Sequence, residues 1–240
     1  MYLSIIVPCY NEGKECFKAV EKLKTFLFGK KINDYELIFV NDGSKDDTLE
    51  CMEEIKAKYP NGIKIVSYTD NKGKGYAVRK GMEVATGDYI FFLDADMAVH
   101  LSFVPTALKE LQNGSDVVMA SRRLPNSSTG DKVSFVRKIV SKGCVICTKL
   151  IVPGFSFSDT QCGGKAFKKE VVETILPYLR FDGFSFDLEI IAYCILNNYK
   201  IKEVPAIVNN RIRDSKVSVV EDSIKFFKDL FVIRKIIKNK

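Results

Sequence analysis

Short β-branched runs near 3–8, 35–40, 63–67 and 88–93 alternate with amphipathic, charged runs from about 13, from about 46 and near 74–85. A parallel pair of strands needs a crossover long enough to hold a helix, so this alternation predicts successive βαβ units. The expected fold class is α/β, with a largely parallel central sheet and helices on both faces. Ligands on such sheets bind beyond the carboxyl ends of the strands. Three of the four strand ends carry polar, turn-prone residues: Pro8-Cys-Tyr-Asn-Glu12, Asn41-Asp-Gly-Ser44 and Asp94-Ala-Asp96. The chemistry is therefore expected along that one edge.

The run Asp88-Tyr-Ile-Phe-Phe-Leu-Asp94-Ala-Asp96 is an apolar strand that ends in two acids one residue apart. In an extended chain such residues face the same side, so Asp94 and Asp96 can converge on one hard divalent cation. A pair of solvated acids closing a strand is the plainer alternative. Asp42-Gly43 is above all a turn dipeptide, although an acid held there can accept hydrogen bonds from a base or a ribose. Asn71-Lys-Gly-Lys-Gly75-Tyr-Ala-Val-Arg79 places two glycines and three cations at an expected helix start. Free amides and the helix dipole would attract phosphate there, with Lys74 beside it; a flexible loop with solvated lysines is the competing reading.

With 240 residues and 46% hydrophobic composition, the chain can bury a sizeable core, and one domain spanning 1–240 is expected. The net charge of +7 favours an anionic partner without choosing among nucleic acid, phosphorylated substrates and acidic membrane. Nucleic acid is disfavoured because the aromatics are mainly phenylalanines inside strand and helix patterns, not interleaved with cations as a stacking platform requires. The seven cysteines have no second CxxC to join Cys144-Val-Ile-Cys147, and His100 is the single histidine. Reduced thiols in a cytoplasmic protein fit better than a zinc site, which needs four ligands, and His100 and the CxxC read as structural. The opening Tyr2-Leu-Ser-Ile-Ile-Val7 enters a strand at once, without the features of a secretory leader. No apolar run approaches membrane-spanning length, so the chain is expected to touch a bilayer without crossing it.

Taken in order, the first-half motifs resemble the sugar-nucleotide-binding half of glycosyltransferase family 2, enzymes of the GT-A fold. Pro8-Cys-Tyr10-Asn11-Glu12 looks like the family's PxYNE, Asn41-Asp-Gly-Ser44 like its DDGS with Asn for the first Asp, and Asp94-Ala-Asp96 like its DxD. The resemblance implies that Pro8, Tyr10, Glu12 and Asp42 contact the nucleotide, and that Asp94 and Asp96 bind Mg2+ or Mn2+ bridging a diphosphate. Ala98 stands where some mannosyl members place a metal-coordinating Gln, and two carboxylates with diphosphate and water still complete an octahedral shell.

In the second half, Ala120-Ser-Arg122, Arg137, Asp159-Thr-Gln-Cys-Gly163, Phe186-Asp-Leu-Glu189, Glu203-Val-Pro205 and Asp214-Ser-Lys216 follow the order of the polyprenyl-phosphate glycosyltransferases. Several strings look more like the glucosyl than the mannosyl branch. The resemblance spans roughly 3–217 and implies a nucleotide-sugar half (1–122), an acceptor half (123–217) and a C-terminal basic amphipathic helix (218–240). It implies transfer of glucose from UDP-glucose to a polyprenyl (dolichyl) phosphate with inversion, Arg122, Arg137 and Lys216 neutralising the acceptor phosphate. Arg213 is a further cation at that end. Asp187 falls where relatives with hydroxyl acceptors keep a base. A positioning role is favoured over a base role, because a phosphate nucleophile carries no proton that must leave. Other readings are the same chemistry with GDP-mannose or a glycan acceptor, and a non-catalytic sugar-nucleotide-binding module at a membrane surface.

Two stretches bear on the lipid. Val136, Ile139, Val140, Cys144, Cys147 and Ile151 lie at helical spacings among basic residues, and Phe226, Leu230, Ile233 and Ile237 form one face of a cationic C-terminal helix. Each face either lies on an anionic leaflet, making the protein peripherally membrane-associated, or packs on the core.

Overall fold

The structure is a computed structural model that describes residues 2–130, 135–209 and 219–238, with backbone alone for Thr129, 135–142 and 219–225. Four strands from the first half, β1 (Leu3–Cys9), β2 (Tyr35–Asp42), β3 (Ile63–Tyr68) and β4 (Tyr89–Leu93), pair in parallel in the order β3-β2-β1-β4. The helices between them are α1 (Glu15–Gly29), α2 (Thr48–Lys58) and α3 (Lys74–Val84). These match the expected runs closely, because the crossovers leave both sheet faces covered and the strands correspondingly apolar.

The same sheet continues into the second half. After α4 (Phe103–Gln112) comes β5 (Val117–Ser121), then a short strand β6 (Ser128–Thr129) and α5 (Phe135–Ile151). Next, β7 (Gly164–Lys168) inserts antiparallel between β4 and β5, and β8 (Ile201–Pro205) pairs in parallel with β5. Between these strands lie α6 (Lys169–Ile175) and α7 (Phe186–Leu196); β9 (Ile207–Val208) pairs with β6, and α8 (Val219–Lys238) follows. One reversed strand in a seven-stranded sheet keeps the architecture largely parallel.

Alternation along the strands divides the core in two. Leu3, Ile5, Val7, Leu37, Phe39 and Phe91 face α1, α2 and α4. The intervening Ile6, Ile38, Val40, Ile90 and Phe92 face α3, α6, α7 and α8. Each fully buried aliphatic or aromatic side chain contributes about 1.5–3 kcal/mol relative to exposure. Phe92 stands at the middle of the second layer, its ring 6.2 Å from Phe167 and 5.6 Å from Phe186.

The apolar faces weighed against a membrane turn inward. Phe226, Leu230 and Ile233 are buried in the second core layer, and Ile237, Cys144, Cys147 and Ile151 pack against it. These side chains complete the α3/α7 face of the sheet, so the lipid reading of those faces is corrected. Val136, Ile139 and Val140 lie outside the described side chains.

Candidate functional site

The loops after β1 and β2 are bound to each other. The Asn11 amide donates to Ser44 Oγ at 3.0 Å, Lys45 N to Asn11 Oδ1 at 2.8 Å, and the amides of Glu12 and Gly13 to Thr48 Oγ1 at 2.9 and 2.8 Å. Asn11 and Gly13 both adopt left-handed backbone, φ 52° and 49°, which Asn and Gly accept with least strain. This stitching holds Tyr10 and Glu12 in the turn that follows Pro8, the next-to-last residue of β1, at the carboxyl edge. Asn41, which stands for the family's first Asp, is a structural clasp: its Oδ1 accepts from Ser44 N at 3.0 Å and its Nδ2 donates to Ser67 Oγ at 3.0 Å.

Asp42 is buried and accepts from Asn71 Nδ2, Lys72 N and Gly73 N, each at 2.9 Å. Its carboxylate thus draws the 71–73 loop against β2. A Cβ on Gly43 would lie 2.4 Å from Asn71 N, so only glycine permits this approach. The helix start at α3 differs from the expected phosphate cradle. Gly75 N donates to Asp182 O at 2.7 Å and Tyr76 N to the same oxygen at 3.3 Å, so those amides are capped by the chain itself. The glycines serve packing there, because Cβ atoms on Gly73 and Gly75 would meet the 181–182 backbone at 2.5 and 2.4 Å.

The two acids after β4 sit in a tight turn, not in extended chain. Met97 N donates to Asp94 O at 2.9 Å with Met97 at φ 47°, and Asp96 Oδ1 accepts from Ala98 N at 2.9 Å. A turn, not the same-side geometry of a strand, therefore sets where the two acids stand. Asp94 occupies the space of the side chain that Gly163 lacks: a Cβ there would lie 2.0 Å from Asp94 Oδ2. Lys74 Nζ is ion-paired with Asp94 Oδ1. Burial works against the Lys74 charge, but Asp94, Asp187 and Asp96 together raise its pKa above the ordinary lysine value. Two carboxylates at one turn are hard oxygen donors of the kind that suits Mg2+ or Mn2+. Among the described residues no group of three or more His, Cys, Asp or Glu gathers as a metal site.

Beside this group lies an unexpected buried pair. Lys165, on β7 and fully enclosed, donates to Asp187 Oδ1 at 2.6 Å and to Cys162 O at 3.2 Å, with its ammonium 5.1 Å from the Phe92 ring centroid. Burial raises the Asp187 pKa, against the pull of Lys165 and Lys74. Glu189, in the first turn of α7, accepts from the amides of Arg180 and Phe181, each at 2.9 Å, and therefore fixes a bend.

At the end of β5, Arg122 grips Asp159 through Nε at 2.7 Å and Nη2 at 2.8 Å, and its backbone N adds a third bond at 3.0 Å. Burial opposes the Asp159 charge, yet Arg122 holds the carboxyl below the usual carboxylate range. Glu203 anchors the same loop, accepting from Ser158 Oγ at 2.7 Å and Asp159 N at 3.0 Å. Arg122 is thus a paired guanidinium, not a free one. The Arg137 side chain, Arg213 and Lys216 lie outside the described residues.

Sequence reasoning missed Lys165, the packing of Gly163 against Asp94 and the carbonyl of Asp182. For Lys165 a signal existed: a lone cation between glycine and an Ala-Phe pair in a central strand needs a buried partner. The other two depend on chain approaches that spacing does not encode. All seven cysteines are free thiols, and burial pushes Cys162 up to about 11, which leaves it a neutral packing group. The His100 ring is exposed and bonds locally, Nδ1 lying 2.8 Å from Ser102 Oγ.

Residues 4–176 match the glycosyl transferase family 2 model. The chain is 33% identical to a dolichyl-phosphate beta-glucosyltransferase of Saccharomyces cerevisiae, over 98% of this chain and 74% of that one. It is also 34% identical to the enzyme of that name from Dictyostelium discoideum, with the same coverage. A dolichol-phosphate mannosyltransferase of Pyrococcus furiosus is 32% identical over 89% of this chain and 58% of its own. Among solved structures, glucosyl-3-phosphoglycerate synthase of Mycobacterium tuberculosis, in complex with phosphoglyceric acid, superposes with TM-score 0.69 at 20% identity, covering 98% of this chain and 80% of that one. The same synthase in complex with Mn2+, UDP and glucosyl-3-phosphoglycerate gives 0.65, likewise at 20% identity, over 96% and 80% of the two chains. A reversed strand within a largely parallel sheet, acids at the carboxyl edge and a matching family model over most of the chain agree: this protein is a glycosyltransferase of the GT-A fold and belongs to glycosyltransferase family 2.

Proposed function

We propose that the enzyme moves glucose from UDP-glucose to a polyprenyl (dolichyl) monophosphate at a membrane surface. The observation that carries this reading is the meeting of charges from both parts of the chain at one sheet edge: Lys74 pairs with Asp94 and also feels the charge of Asp187, which Lys165 holds. The substrate class follows the relatives named dolichyl-phosphate beta-glucosyltransferase. An oxygen of the acceptor phosphate forms the new bond to the anomeric carbon as the bond from that carbon to the UDP oxygen breaks, so the centre inverts. UDP departs with the bonding electrons, and no proton need be taken from the nucleophile. Mg2+ or Mn2+, held by Asp94 and Asp96, would supply Lewis-acid neutralisation of the diphosphate. Pro8, Tyr10, Glu12 and Asp42 border the nucleotide, Asp42 through the loop it holds.

The acceptor's charge falls to Arg122, Arg137 and Lys216. Arg122 is already paired with Asp159 through two bonds, so in this reading it orients the phosphate and the other two carry more of the compensation. Asp187 is a positioning group, since the buried Lys165 occupies its Oδ1. The membrane-facing surface is the outer side of α8, where Phe227, Phe231 and Val232 are exposed beside Lys228, Lys235 and Lys238. Among the described residues no helix is long and apolar enough to cross a bilayer.

A second reading, GDP-mannose as donor, is favoured by the similarity to the Pyrococcus furiosus mannosyltransferase. Incubation with a short polyprenyl phosphate, Mg2+ or Mn2+ and a panel of labelled sugar nucleotides separates the two. Label entering the organic phase from UDP-glucose, with a β-anomeric NMR coupling in the product, is the expected result. Label from GDP-mannose alone would overturn the donor assignment.

A further inference from the structure

We propose that Lys74 makes binding of the cation and of the nucleotide depend on each other, by serving as the counter-ion of Asp94 until the donor's diphosphate draws its ammonium away. The inference rests on the reading of Asp94 and Asp96 as the cation's ligands. Lys74 opens α3 between two glycines whose backbone is locked: Cβ atoms there would meet Asp182 O at 2.5 Å and Phe181 O at 2.4 Å. Only its four-carbon stem is left to move. Its ammonium pairs with Asp94 Oδ1 and stands over the Phe92 and Phe186 rings, 5.9 Å from each centroid. Of the neighbouring acids, Asp187 already has a partner in Lys165 at 2.6 Å.

A divalent cation taking Asp94 therefore leaves the ammonium over two aromatic rings, in a site where its side chain is 23% exposed, with its carboxylate partner lost. Separating a half-buried pair in this way opposes cation binding. A diphosphate arriving with the cation gives the ammonium a new anionic partner, and the opposition disappears. By reciprocity, whatever UDP does for the cation, the cation does for UDP.

The test uses Mn2+ alone as probe, its free concentration followed by electron paramagnetic resonance, with and without UDP. Lys74→Met is expected to bind Mn2+ alone about two- to fivefold tighter than the wild type, within the range spanned by an exposed ion pair. In Lys74→Met the gain in Mn2+ affinity on adding UDP should shrink by a similar factor. Lys74→Arg, which keeps the charge, should stay near the wild type in both measurements. Lys74→Gln serves as a second neutral variant should the Met protein not fold. If both neutral variants bind Mn2+ alone no more tightly than the wild type, the proposal is overturned. Asp96→Ala separates the premise: if it retains wild-type Mn2+ affinity, the assignment of the acids fails, whatever Lys74 does.

Discussion

Lys165 is a lysine without water, and its contribution depends on what its removal leaves behind. Lys165→Met strands Asp187 as an unpaired acid in a buried place, which costs about 3–5 kcal/mol in comparable pairs, whereas removing both charges with apolar residues is often neutral. The single variant should therefore lose that much stability in urea, and Lys165→Met/Asp187→Leu should recover most of it. If the single variant is as stable as the wild type, the buried pair is not what holds this part of the site. A second prediction concerns Asp159, whose folded pKa lies below its ordinary value because Arg122 outweighs the effect of burial. A depressed carboxyl stabilises above its unfolded pKa, about 3.9, and that stability is lost as pH falls through the folded pKa. The stability gap between the wild type and Asp159→Asn should accordingly be open at pH 6 and narrow as pH falls below about 3.9. A gap independent of pH would contradict the ion pair. Asp187 and Arg122 were site candidates from their motifs, but the pairings were not legible, because Lys165 reaches Asp187 across 22 residues of chain and Arg122 reaches Asp159 across 37.

At the level of elements, α8 separates two readings of one amphipathic pattern. Leu230 is fully buried against the sheet, while Phe231, one residue on, is 56% exposed. Leu230→Ala should cost about 2–5 kcal/mol with a matching fall in denaturation midpoint. Phe231→Ser should leave the midpoint nearly unchanged and reduce flotation with liposomes of anionic lipid. Unchanged flotation would remove the outer face of α8 from the membrane account. The spacing of Phe226, Leu230, Ile233 and Ile237 declared a helix with an apolar stripe, but periodicity is the same for a stripe on lipid and a stripe on protein. The decision came from α7 and the sheet, which need that stripe to close their own core. The start of α3 teaches the same lesson: its glycines looked like a phosphate cradle, and the 181–183 segment fills the space they open.

For the molecule as a whole, the half built from β1 to β4 was legible because each strand is an apolar run and each crossover a local helix. The second half was harder to read, because β7 runs antiparallel between β4 and β5 and its partners are set by long-range pairing. That same strand brings Gly163 and Lys165 under Asp94 and Asp187, so the least legible element joins the two halves of the site. The account therefore stands on whether the acids at that junction support transfer of a sugar to a lipid phosphate. The direct measurement is extraction of labelled glucose into organic solvent from UDP-glucose and polyprenyl phosphate, by the wild type and Asp96→Ala side by side, with and without chelator. Loss of a charge-stabilising group of this kind costs about 10²–10³ in rate. The expected result is cation-dependent labelling by the wild type and at least a hundredfold loss in the variant; equal labelling by both in chelator would contradict the account.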